Sequence, residues 1–352
     1  MRFQRAVKGV CAGFPAQRLP LAVVKREVSV VIPTRNDAAG LPEAVRSSLA
    51  QTGAHVSEVL ICAGPSTDGT ADVAAELAAQ FATVHVLQNL QGGISAALNV
   101  GLRAASTDIF VRVDSRCRLP PGYISHALET MSSTDAANVG AVQVPIGNSP
   151  MQSAIARAMR HAVGSGAAAY RHGGKRREVA TAFLGVYKVQ ALRSVGGWDE
   201  NFARNEDAEV NHRLRVAGHR IILDPRLRVE YEPRQTLGEL WRQYFDYGWW
   251  RRRMIARHRS WQLRQMAAPI IVLGLIVGTI LAVAVSPWFL AIHGSYVIAL
   301  GVVGLTLDQQ PTPGDRIRVP LALATMHVSW GLGFLASAIR GTGPGAKRPS
   351  EE

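Results

Sequence analysis

The stretch VSVVIPTRN, residues 28–36, decides how the first half of the chain folds. Its run of β-branched residues ends at a proline, a pattern typical of a strand buried in a parallel sheet. Further apolar runs follow it, and helical patterns separate them with short connections. This alternation predicts a doubly wound parallel sheet of the α/β class. The predicted strands lie at 28–33, 56–64, 83–89 and 107–115, and the predicted helices at about 40–51, 70–81 and 94–105.

Three loops rich in small and polar residues follow strands of this predicted sheet, at 33–36, 63–66 and 114–116. In open α/β sheets, ligands bind at the carboxyl ends of the strands. We therefore expect the three loops to converge on one site. The chain carries neither a GxGxxG fingerprint nor a GxxxxGK[ST] loop, which argues against dinucleotide-binding and P-loop folds.

The strand end VRVDSR, residues 111–116, offers a candidate metal ligand in Asp114. A second carboxylate two residues further on would strengthen a metal site, but that position holds Arg116. One carboxylate still suffices for Mg²⁺ or Mn²⁺ when a diphosphate supplies further oxygen ligands. Arg116 would then add a fixed charge whose fork matches phosphate geometry. A turn-capping aspartate is the alternative, and from these residues alone both interpretations stand.

The stretch RNEDAEVNHRLRVAG, residues 204–218, predicts a helix from about 206 to 217. Val210 and Leu214 mark its buried stripe, and Asp207 shares that inward-facing side at the first turn. Acids in a first turn are stabilised by the helix dipole. The dipole explains an exposed Glu206 well and an inward Asp207 poorly, which makes Asp207 a candidate functional carboxylate.

The formal net charge of +13 fits nucleic acid, anionic lipid or a phosphorylated substrate. Its distribution favours the last two, because seven arginines and one acid lie between residues 242 and 264, just before the most apolar part of the chain. That order is typical of the cytoplasmic flank of a membrane segment, and the aromatic residues among the arginines predict an interfacial belt. No DNA- or RNA-recognition motif is present, so we expect no nucleic-acid partner.

Residues 268–307 contain no Asp, Glu, Lys or Arg. That length is about twice the roughly 20 residues that cross a bilayer, so it predicts two membrane spans broken near Pro287. A third uncharged run follows. Core helices of a soluble protein are the alternative, and an interfacial third helix also stays open. We expect a multi-pass protein of the inner (plasma) membrane with spans at about 268–285, 287–307 and 319–339.

The ordered motifs resemble those of bacterial family 2 glycosyltransferases, and are most similar to the membrane-attached succinoglycan type of exopolysaccharide biosynthesis. The motifs are VSVVIPTRND, STDGT, ISAALNVGL, VRVDSR, FLGVY, GGWDENFARNEDAEVNHRLRVAG and QYFDYG, followed by apolar segments. The resemblance implies a GT-A fold, a divalent cation held by an aspartate, and an inverting displacement. The expected parts are a basic lead-in at 1–26, the GT-A domain at 27–235, basic aromatic interfacial helices at 236–266, membrane segments at 267–340 and a disordered tail at 341–352.

The resemblance also implies roles for individual residues. Asp114 matches the first aspartate of the DxD element and would hold the metal, while Asp207 matches the second acid of the (E/D)D motif, the expected general base, with Glu206 in support. Gln243 corresponds to a glutamine that processive relatives place near the acceptor. Trp198 would stack on an acceptor sugar beside Asp199, although a core position is its alternative. The expected nucleotide-sugar site comprises Pro33, Thr34, Arg35, Asn36, Ala63, Gly64, Asp68, Gly93, Asn99, Arg112, Asp114 and Arg116.

Three positions depart from the family pattern. Most relatives carry a base-contacting aspartate where Ala63 stands, so the nucleotide bound here stays open. Arg116 occupies the third DxD position, where succinoglycan-type relatives often have histidine. Asp246 replaces the arginine of the QxxRW pattern, which predicts transfer of a single sugar rather than processive polymerisation.

The leading hypothesis is a metal-dependent inverting hexosyltransferase. It would move one sugar from a nucleotide-diphosphate sugar to a lipid-linked saccharide acceptor at the cytoplasmic membrane face, in exopolysaccharide or cell-surface glycan biosynthesis. Mg²⁺ or Mn²⁺ suits the charge that develops on the leaving diphosphate. One alternative is a polyprenyl-phosphate glycosyltransferase, whose acceptor is the lipid phosphate itself. Another is a nucleotide-sugar-binding membrane protein without transfer activity, suggested by Ala63 and Arg116.

Overall fold

The computed structural model describes residues 26–166, 169–260, 262–307 and 311–340. The predicted basic lead-in up to residue 25 and the predicted disordered tail at 341–352 lie outside the described residues. The described residues include one eight-stranded mixed sheet with helices on both faces and a group of long C-terminal helices packed beside it.

The first half of the sheet follows the alternation expected from the sequence. Its four strands are parallel, in the spatial order β3-β2-β1-β4, and a helix connects each strand to the next. The predicted strands and helices of this half are therefore confirmed, with small differences at their ends. The strands are β1 (Glu27–Thr34), β2 (His55–Ala63), β3 (Val84–Gln88) and β4 (Ile109–Arg112), and the helices are α1 (Leu41–Leu49), α2 (Thr70–Gln80) and α3 (Ile94–Ala104).

The second half of the sheet is mixed rather than parallel. Strand β7 lies between β4 and β5 and runs antiparallel to both, whereas β8 is parallel to β5. The predicted parallel order therefore holds up to β4 and the sheet is mixed beyond it, because the apolar pattern of a strand does not encode the direction of its neighbour. The elements are α4 (Tyr123–Thr134), β5 (Asn138–Pro145), α5 (Pro150–Arg160), α6 (Ala162–Ser165), α7 (Ala169–His172), β6 (Arg177–Glu178), β7 (Phe183–Lys188), α8 (Val189–Ser194), α9 (Glu206–Val216) and β8 (Ile221–Tyr231).

Buried apolar residues cover both faces of the sheet. One cluster joins the strands to α1, α2 and α4, and the other joins them to α3, α8 and α9. A sheet covered on both faces leaves only its strand ends and edges open to ligands. The helix α9, which carries the candidate carboxylates, is anchored in the second cluster through Val210 and Leu214.

The C-terminal helices are α10 (Leu237–His258), α11 (Ala267–Ala284), α12 (Ala291–Leu305) and α13 (Asp315–Ile339). Within the described residues, three segments are long and apolar enough to cross a membrane: Leu263–Ala284, Pro287–Leu305 and Asp315–Ile339. These segments match the three predicted spans. The third differs from the others because 50% of its most apolar window is buried against protein, compared with 17% and 11%.

Helix α13 is held against α10 through glycines at the contact. A Cβ atom at Gly248 of α10 would overlap the backbone carbonyl of Trp330, and one at Gly333 of α13 would overlap the backbone of Phe245. Small residues allow helix backbones to approach this closely. Helix α10, which follows the sheet, and the apolar helix α13 are therefore joined by direct backbone packing.

We predict that Gly248→Ala lowers the melting temperature of the full chain in detergent, because overpacking a close contact costs about 1–3 kcal/mol. The matched control is Gly238→Ala on the same helix, where an added Cβ meets nothing within 4 Å. That control should be neutral or slightly stabilising, since alanine favours helix more than glycine. Equal melting temperatures for the two variants would contradict the close packing of α10 and α13.

Candidate active site

The guanidinium of Arg112, at the last residue of β4, holds three carboxylates. Its Nε donates to Asp114 Oδ1 at 2.8 Å, and its Nη1 donates to Glu206 Oε1 at 3.0 Å and to Asp207 Oδ1 at 2.5 Å. The Arg112 side chain is only 3% exposed. The end of β4 and the start of α9 are about 90 residues apart in sequence. Both contribute carboxylates or charge to the one buried ion cluster around Arg112.

The local fold of α9 presents its acids to this cation. Asn205 precedes the helix with a positive φ of 61°, so the chain turns sharply before the first helical residue. Glu206 and Asp207 then occupy the first turn, where the helix dipole favours negative charge. The Asp207 side chain is 20% exposed, which leaves it accessible to a substrate. Its inward position agrees with the helical pattern of the sequence.

The charge around Arg112 is unbalanced, because one guanidinium faces three carboxylates. Burial raises the pKa of the Asp207 carboxyl to about 7, and the charges of Glu206 and Asp114 add to this, while Arg112 opposes it. A carboxyl with such a pKa exchanges its proton near neutral pH. This is the property that a general base requires.

The loops after β1 and β2 are fastened together by polar contacts at the same sheet edge. Asn36 Oδ1 accepts from the backbone N–H of Thr67 at 2.8 Å, and the Asn36 N–H donates to Ser66 Oγ at 3.1 Å. Asp68 accepts from the N–H of Ala38 at 3.2 Å. These contacts hold Arg35, Asn36 and Asp68 beside the Arg112 cluster. The loops after β1, β2 and β4 together form the rim of the site.

Asp37 belongs to this rim although the sequence analysis did not select it. Arg116 Nε donates to Asp37 Oδ1, and Ser115 Oγ donates to Asp37 Oδ2 at 2.6 Å. The Arg116 side chain remains 58% exposed. The position of Asp37 directly after Asn36, at the end of the first strand, was the signal that could have identified it.

An open cleft of about 1800 Å³ runs along this sheet edge. It begins at the loops after β1 and β4, passes Asp207, and continues to Ile271 of α11 and to Met326 and Trp330 of α13. The cleft therefore connects the sheet edge to the apolar helices. The predicted site residues that line it are Pro33, Arg35, Asn36, Asp68, Arg112, Asp114, Arg116, Glu206, Asp207 and Gln243.

The predicted sugar-stacking role of Trp198 is wrong. Its side chain is 2% exposed, and its ring packs against Phe110 and Tyr187 with centroid distances of 5.3 and 5.6 Å. The core alternative is therefore correct. Asp199 faces away from the cleft as well, where it forms an ion pair with Arg257 at 3.0 Å.

Asn99 has a structural position rather than the predicted ligand contact. Its Nδ2 donates to the carbonyl of Trp198 at 2.8 Å, and its Oδ1 accepts from the Trp198 N–H at 2.8 Å. Its amide thus holds the Gly-Gly-Trp turn against α3. Position alone could not separate this role from ligand binding, since both need a polar side chain near the sheet edge.

Four further predicted nucleotide-site residues are not among those that line the cleft. Thr34 and Ala63 are buried at strand ends, and the Gly64 N–H donates to the Thr34 carbonyl at 2.9 Å. Gly93 precedes α3 and accepts from Asn89 Nδ2 at 2.9 Å. Thr34, Ala63 and Gly64 are buried at the sheet edge, whereas Gly93 is exposed beside it, so their contact with a nucleotide sugar stays a prediction.

Gln243 of α10 lines the cleft and contacts the end of strand β8. Its Nε2 donates to the hydroxyls of Tyr231 and Tyr247 at 3.1 and 3.0 Å. Its Oε1 is buried and has no hydrogen-bond partner among the described residues. An orphaned buried acceptor is costly, which suggests that a ligand donor completes it.

The cleft also contains cations and aromatics that sequence reasoning missed as site residues. Arg171, Tyr244 and Arg251 line it between Asp207 and the apolar helices. Sequence analysis placed Tyr244 and the α10 arginines in an interfacial belt. Only the packing of α7 against α10 shows that some of these side chains turn into the cleft.

The comparisons with known proteins agree with this geometry. The family model described as "Glycosyl transferase family 2" matches residues 29–196. The succinoglycan biosynthesis protein ExoA of Rhizobium meliloti (strain 1021) is 33% identical over 315 residues, which cover 87% of this chain and 93% of that protein. The chain belongs to glycosyl transferase family 2. Within it the chain is of the exopolysaccharide type, as the sequence motifs predicted.

Other similarities show the fold. The mannosyltransferase PcManGT from Pyrobaculum calidifontis, solved in complex with GDP-Man and Mn²⁺, superposes with a TM-score of 0.57 at 16% identity, covering 90% of this chain and 88% of that one. A pre-mycofactocin glycosyltransferase of Mycobacterium tuberculosis (strain ATCC 25618 / H37Rv) is 27% identical over 73% of this chain and 52% of its own length. The predicted GT-A fold with apolar C-terminal helices is thereby confirmed.

We predict that Arg112→Met strongly lowers the melting temperature, because removing one partner of a buried ion pair costs about 3–5 kcal/mol. Glu206→Gln in the Arg112→Met background should recover part of the loss by removing one uncompensated carboxylate. The control is Arg118→Met, whose pair with Glu43 has side chains that are 69% and 52% exposed. Removing that exposed pair should cost less than about 1 kcal/mol. Similar decreases in melting temperature for Arg112→Met and Arg118→Met would contradict the claim that the buried Arg112 cluster stabilises the fold more than an exposed ion pair does.

Proposed function

We propose that this family 2 glycosyltransferase moves a single sugar, with inversion, from a nucleotide-diphosphate sugar to a lipid-linked saccharide acceptor. The transfer would take place at the cytoplasmic face of the inner membrane, in exopolysaccharide or cell-surface glycan biosynthesis. The observation that carries the proposal is the shared position of Asp114 and Asp207 on Arg112, inside a cleft that leads to apolar helices.

The donor would occupy the rim formed by the loops after β1, β2 and β4. A structural neighbour of the same fold binds GDP-Man, which supports a nucleotide-sugar at this edge. Arg35 and Arg116 are exposed cations on the rim and suit the charge of a diphosphate. Because Ala63 is buried, the base would be recognised by other groups, and Asn36 and Asp68 line the cleft with the polar atoms required.

Asp114 fits a divalent cation as a single protein ligand. Its Oδ1 accepts from Arg112, its Oδ2 makes no hydrogen bond within the described part of the chain, and its side chain is 32% exposed. No group of three or more His, Cys, Asp or Glu residues among those described could hold a metal alone. One carboxylate with substrate phosphates is a usual Mg²⁺ arrangement. When bound, Mg²⁺ or Mn²⁺ would offset the charge of the leaving diphosphate.

Asp207 would act as the general base. The acceptor hydroxyl loses its proton as its oxygen attacks the anomeric carbon, and a carboxylate within reach accepts that proton. A single displacement from the face opposite the leaving diphosphate inverts the anomeric configuration. Arg112 would orient the Asp207 carboxylate, and Glu206 would hold Arg112 in place while its charge keeps the pKa of Asp207 high.

The acceptor would enter from the side of α10 and the apolar helices. Gln243 lines the cleft, and its orphaned Oε1 suits a sugar hydroxyl as donor. The arginines of α10 and of the segment before α11 favour a cytoplasmic position for the catalytic half, since such charge stays on the cytoplasmic side. A lipid-linked acceptor would then reach Asp207 with its lipid beside α11 and α13.

We predict that kcat/KM rises with pH to a plateau, with an apparent pKa of about 7, because Asp207 must lose its proton to act as a base. Below that pH the carboxyl is protonated, and the rate falls about tenfold per pH unit. Asp207→Asn should lower kcat by about 10²–10⁴-fold and remove this ascending limb. The measurement is transfer from a nucleotide sugar at a series of pH values.

The control for this experiment is Asp135→Asn, which removes an exposed carboxylate paired with Lys188 at 2.6 Å and should leave the profile unchanged. Part of the chain is also similar to a dolichol-phosphate mannosyltransferase of Pyrococcus furiosus (strain ATCC 43587 / DSM 3638 / JCM 8422 / Vc1), with 30% identity over 32% of each protein. A phosphate acceptor needs little help from a base. A mild effect of Asp207→Asn would therefore contradict the hydroxyl acceptor and favour the lipid-phosphate alternative.

We predict that Mn²⁺ tightens the binding of nucleoside diphosphate and that Asp114→Asn removes most of this gain. The expected reason is the loss of the single carboxylate that anchors the cation. Calorimetric titration with UDP and with GDP, with and without Mn²⁺, measures this without any turnover. An undiminished gain from Mn²⁺ in Asp114→Asn would show that the cation is held elsewhere.

A further inference from the structure

Two arginines in the acceptor half of the cleft lack a counter-charge. Arg171 of α7 and Arg251 of α10 line the cleft between Asp207 and the apolar helices. Neither forms an ion pair with a carboxylate in residues 26–166, 169–260, 262–307 and 311–340, whereas the buried Arg112 is paired with three. This difference is unexpected, because burying a cation without an anion beside it costs free energy.

Arg171 is held in place by aromatic groups. Its Nη1 donates to the Tyr244 hydroxyl at 2.8 Å, and its guanidinium lies 5.7 Å and 5.9 Å from the ring centroids of Tyr170 and Tyr244. Its Nε is buried and has no hydrogen-bond partner among the described residues. The side chain is therefore positioned firmly while one of its donors remains unused.

Arg251 is held by neutral groups as well. Its Nη2 donates to Asn205 Oδ1 at 3.3 Å, and its Nη1 contacts the Met254 sulfur at 3.2 Å. Burial lowers the pKa of Arg251, and the positive charge of nearby Arg264 adds to that effect. Asn205 immediately precedes Glu206 and Asp207, so this contact links Arg251 to the start of α9.

Two carboxylates that line the cleft, Glu239 and Glu232, are engaged elsewhere. Glu239 is part of the cap of α10, where its side chain accepts from the N–H groups of Gln235 and Thr236. Glu232 accepts from Asn148 Nδ2 at 3.2 Å. These acids therefore do not neutralise the two arginines.

We propose that Arg171 and Arg251 form a second phosphate-binding subsite, separate from the donor rim, for the phosphate or diphosphate ester of a long-chain prenol. The inference rests on the proposed function, because it assigns the lipid carrier of the acceptor to a place in the same cleft. A phosphate held here lies between Asp207 and Ile271, Met326 and Trp330, so its chain extends along α11 and α13. Guanidinium groups match phosphate geometry and provide the missing charge balance.

The test is a binding titration of the full chain in nanodiscs of phosphatidylcholine, with farnesyl diphosphate as the probe. Arg171→Gln and Arg251→Gln should each weaken its affinity by about tenfold, as expected for hydrogen bonds to a charged group. The control is Arg242→Gln, which removes the same charge from an exposed position on α10 that does not line the cleft. It should bind farnesyl diphosphate as the unaltered chain does.

The affinity for nucleoside diphosphate with Mn²⁺ is measured on the same samples. It shows whether each variant is folded and whether its donor site is intact. It should be unchanged in all three variants. Equal loss of nucleotide and farnesyl diphosphate affinity would overturn the proposal, since the arginines would then belong to the donor site. Unchanged farnesyl diphosphate affinity in both cleft variants would overturn it as well.

Two further ligands and one lipid separate the possible sources of the phosphate. Farnesol should not bind, and inorganic pyrophosphate should bind more weakly than farnesyl diphosphate, because it lacks the chain; equal affinity of pyrophosphate would overturn the lipid assignment. Displacement of farnesyl diphosphate by phosphatidylglycerol in the disc would show a site for bulk anionic lipid and would also overturn it. None of these titrations requires turnover. A chain that binds prenyl diphosphate but transfers no sugar would therefore refute the proposed function and leave the phosphate-binding subsite standing.

Discussion

The ion cluster around Arg112 is the interaction on which the rest of the site depends. Arg112 ends a buried strand, and its guanidinium draws together the strand-end Asp114 and the first turn of α9. Without it, three carboxylates would share one poorly solvated place and could not all remain charged. Burial, together with the excess negative charge that remains, raises the pKa of Asp207 to about 7. The same excess leaves Asp114 available to a further cation.

The same cleft explains why the enzyme half and the apolar helices are joined so closely. Helix α10 contributes Gln243 and Arg251 to the cleft and packs against α13 through Gly248. A substrate that combines a lipid and a sugar needs a continuous path from a membrane to a water-soluble donor. In the proposed function, a cleft with loops of a nucleotide-sugar-binding fold at one end and apolar helices at the other would supply such a path.

Much of this architecture could be predicted from the sequence, because the signals were local. Apolar runs ending at small polar loops gave the parallel strands, and helical spacing placed Asp207 on the inward side of α9. The burial of a side chain and the direction of a strand depend on tertiary packing, which the local sequence does not encode. Strand β7 is antiparallel to its neighbours, and Trp198 fills the core between Phe110 and Tyr187. A Gly-Gly-Trp turn looks alike in a core and at a sugar site, and only tertiary packing turned Arg171 into the cleft.

The central claim is that Asp207, buried in one charge cluster with Glu206 and Asp114, titrates near neutral pH. The most direct measurement is the ¹³C NMR titration of aspartate carboxyl carbons in the full chain, with the Asp207 signal assigned by its absence in Asp207→Asn. The account predicts a pKa of about 7 for this carboxyl and a lower value in Glu206→Gln, which removes a neighbouring negative charge. A carboxyl that titrates below about pH 5, like an ordinary aspartate, and is unaffected by Glu206→Gln would contradict it.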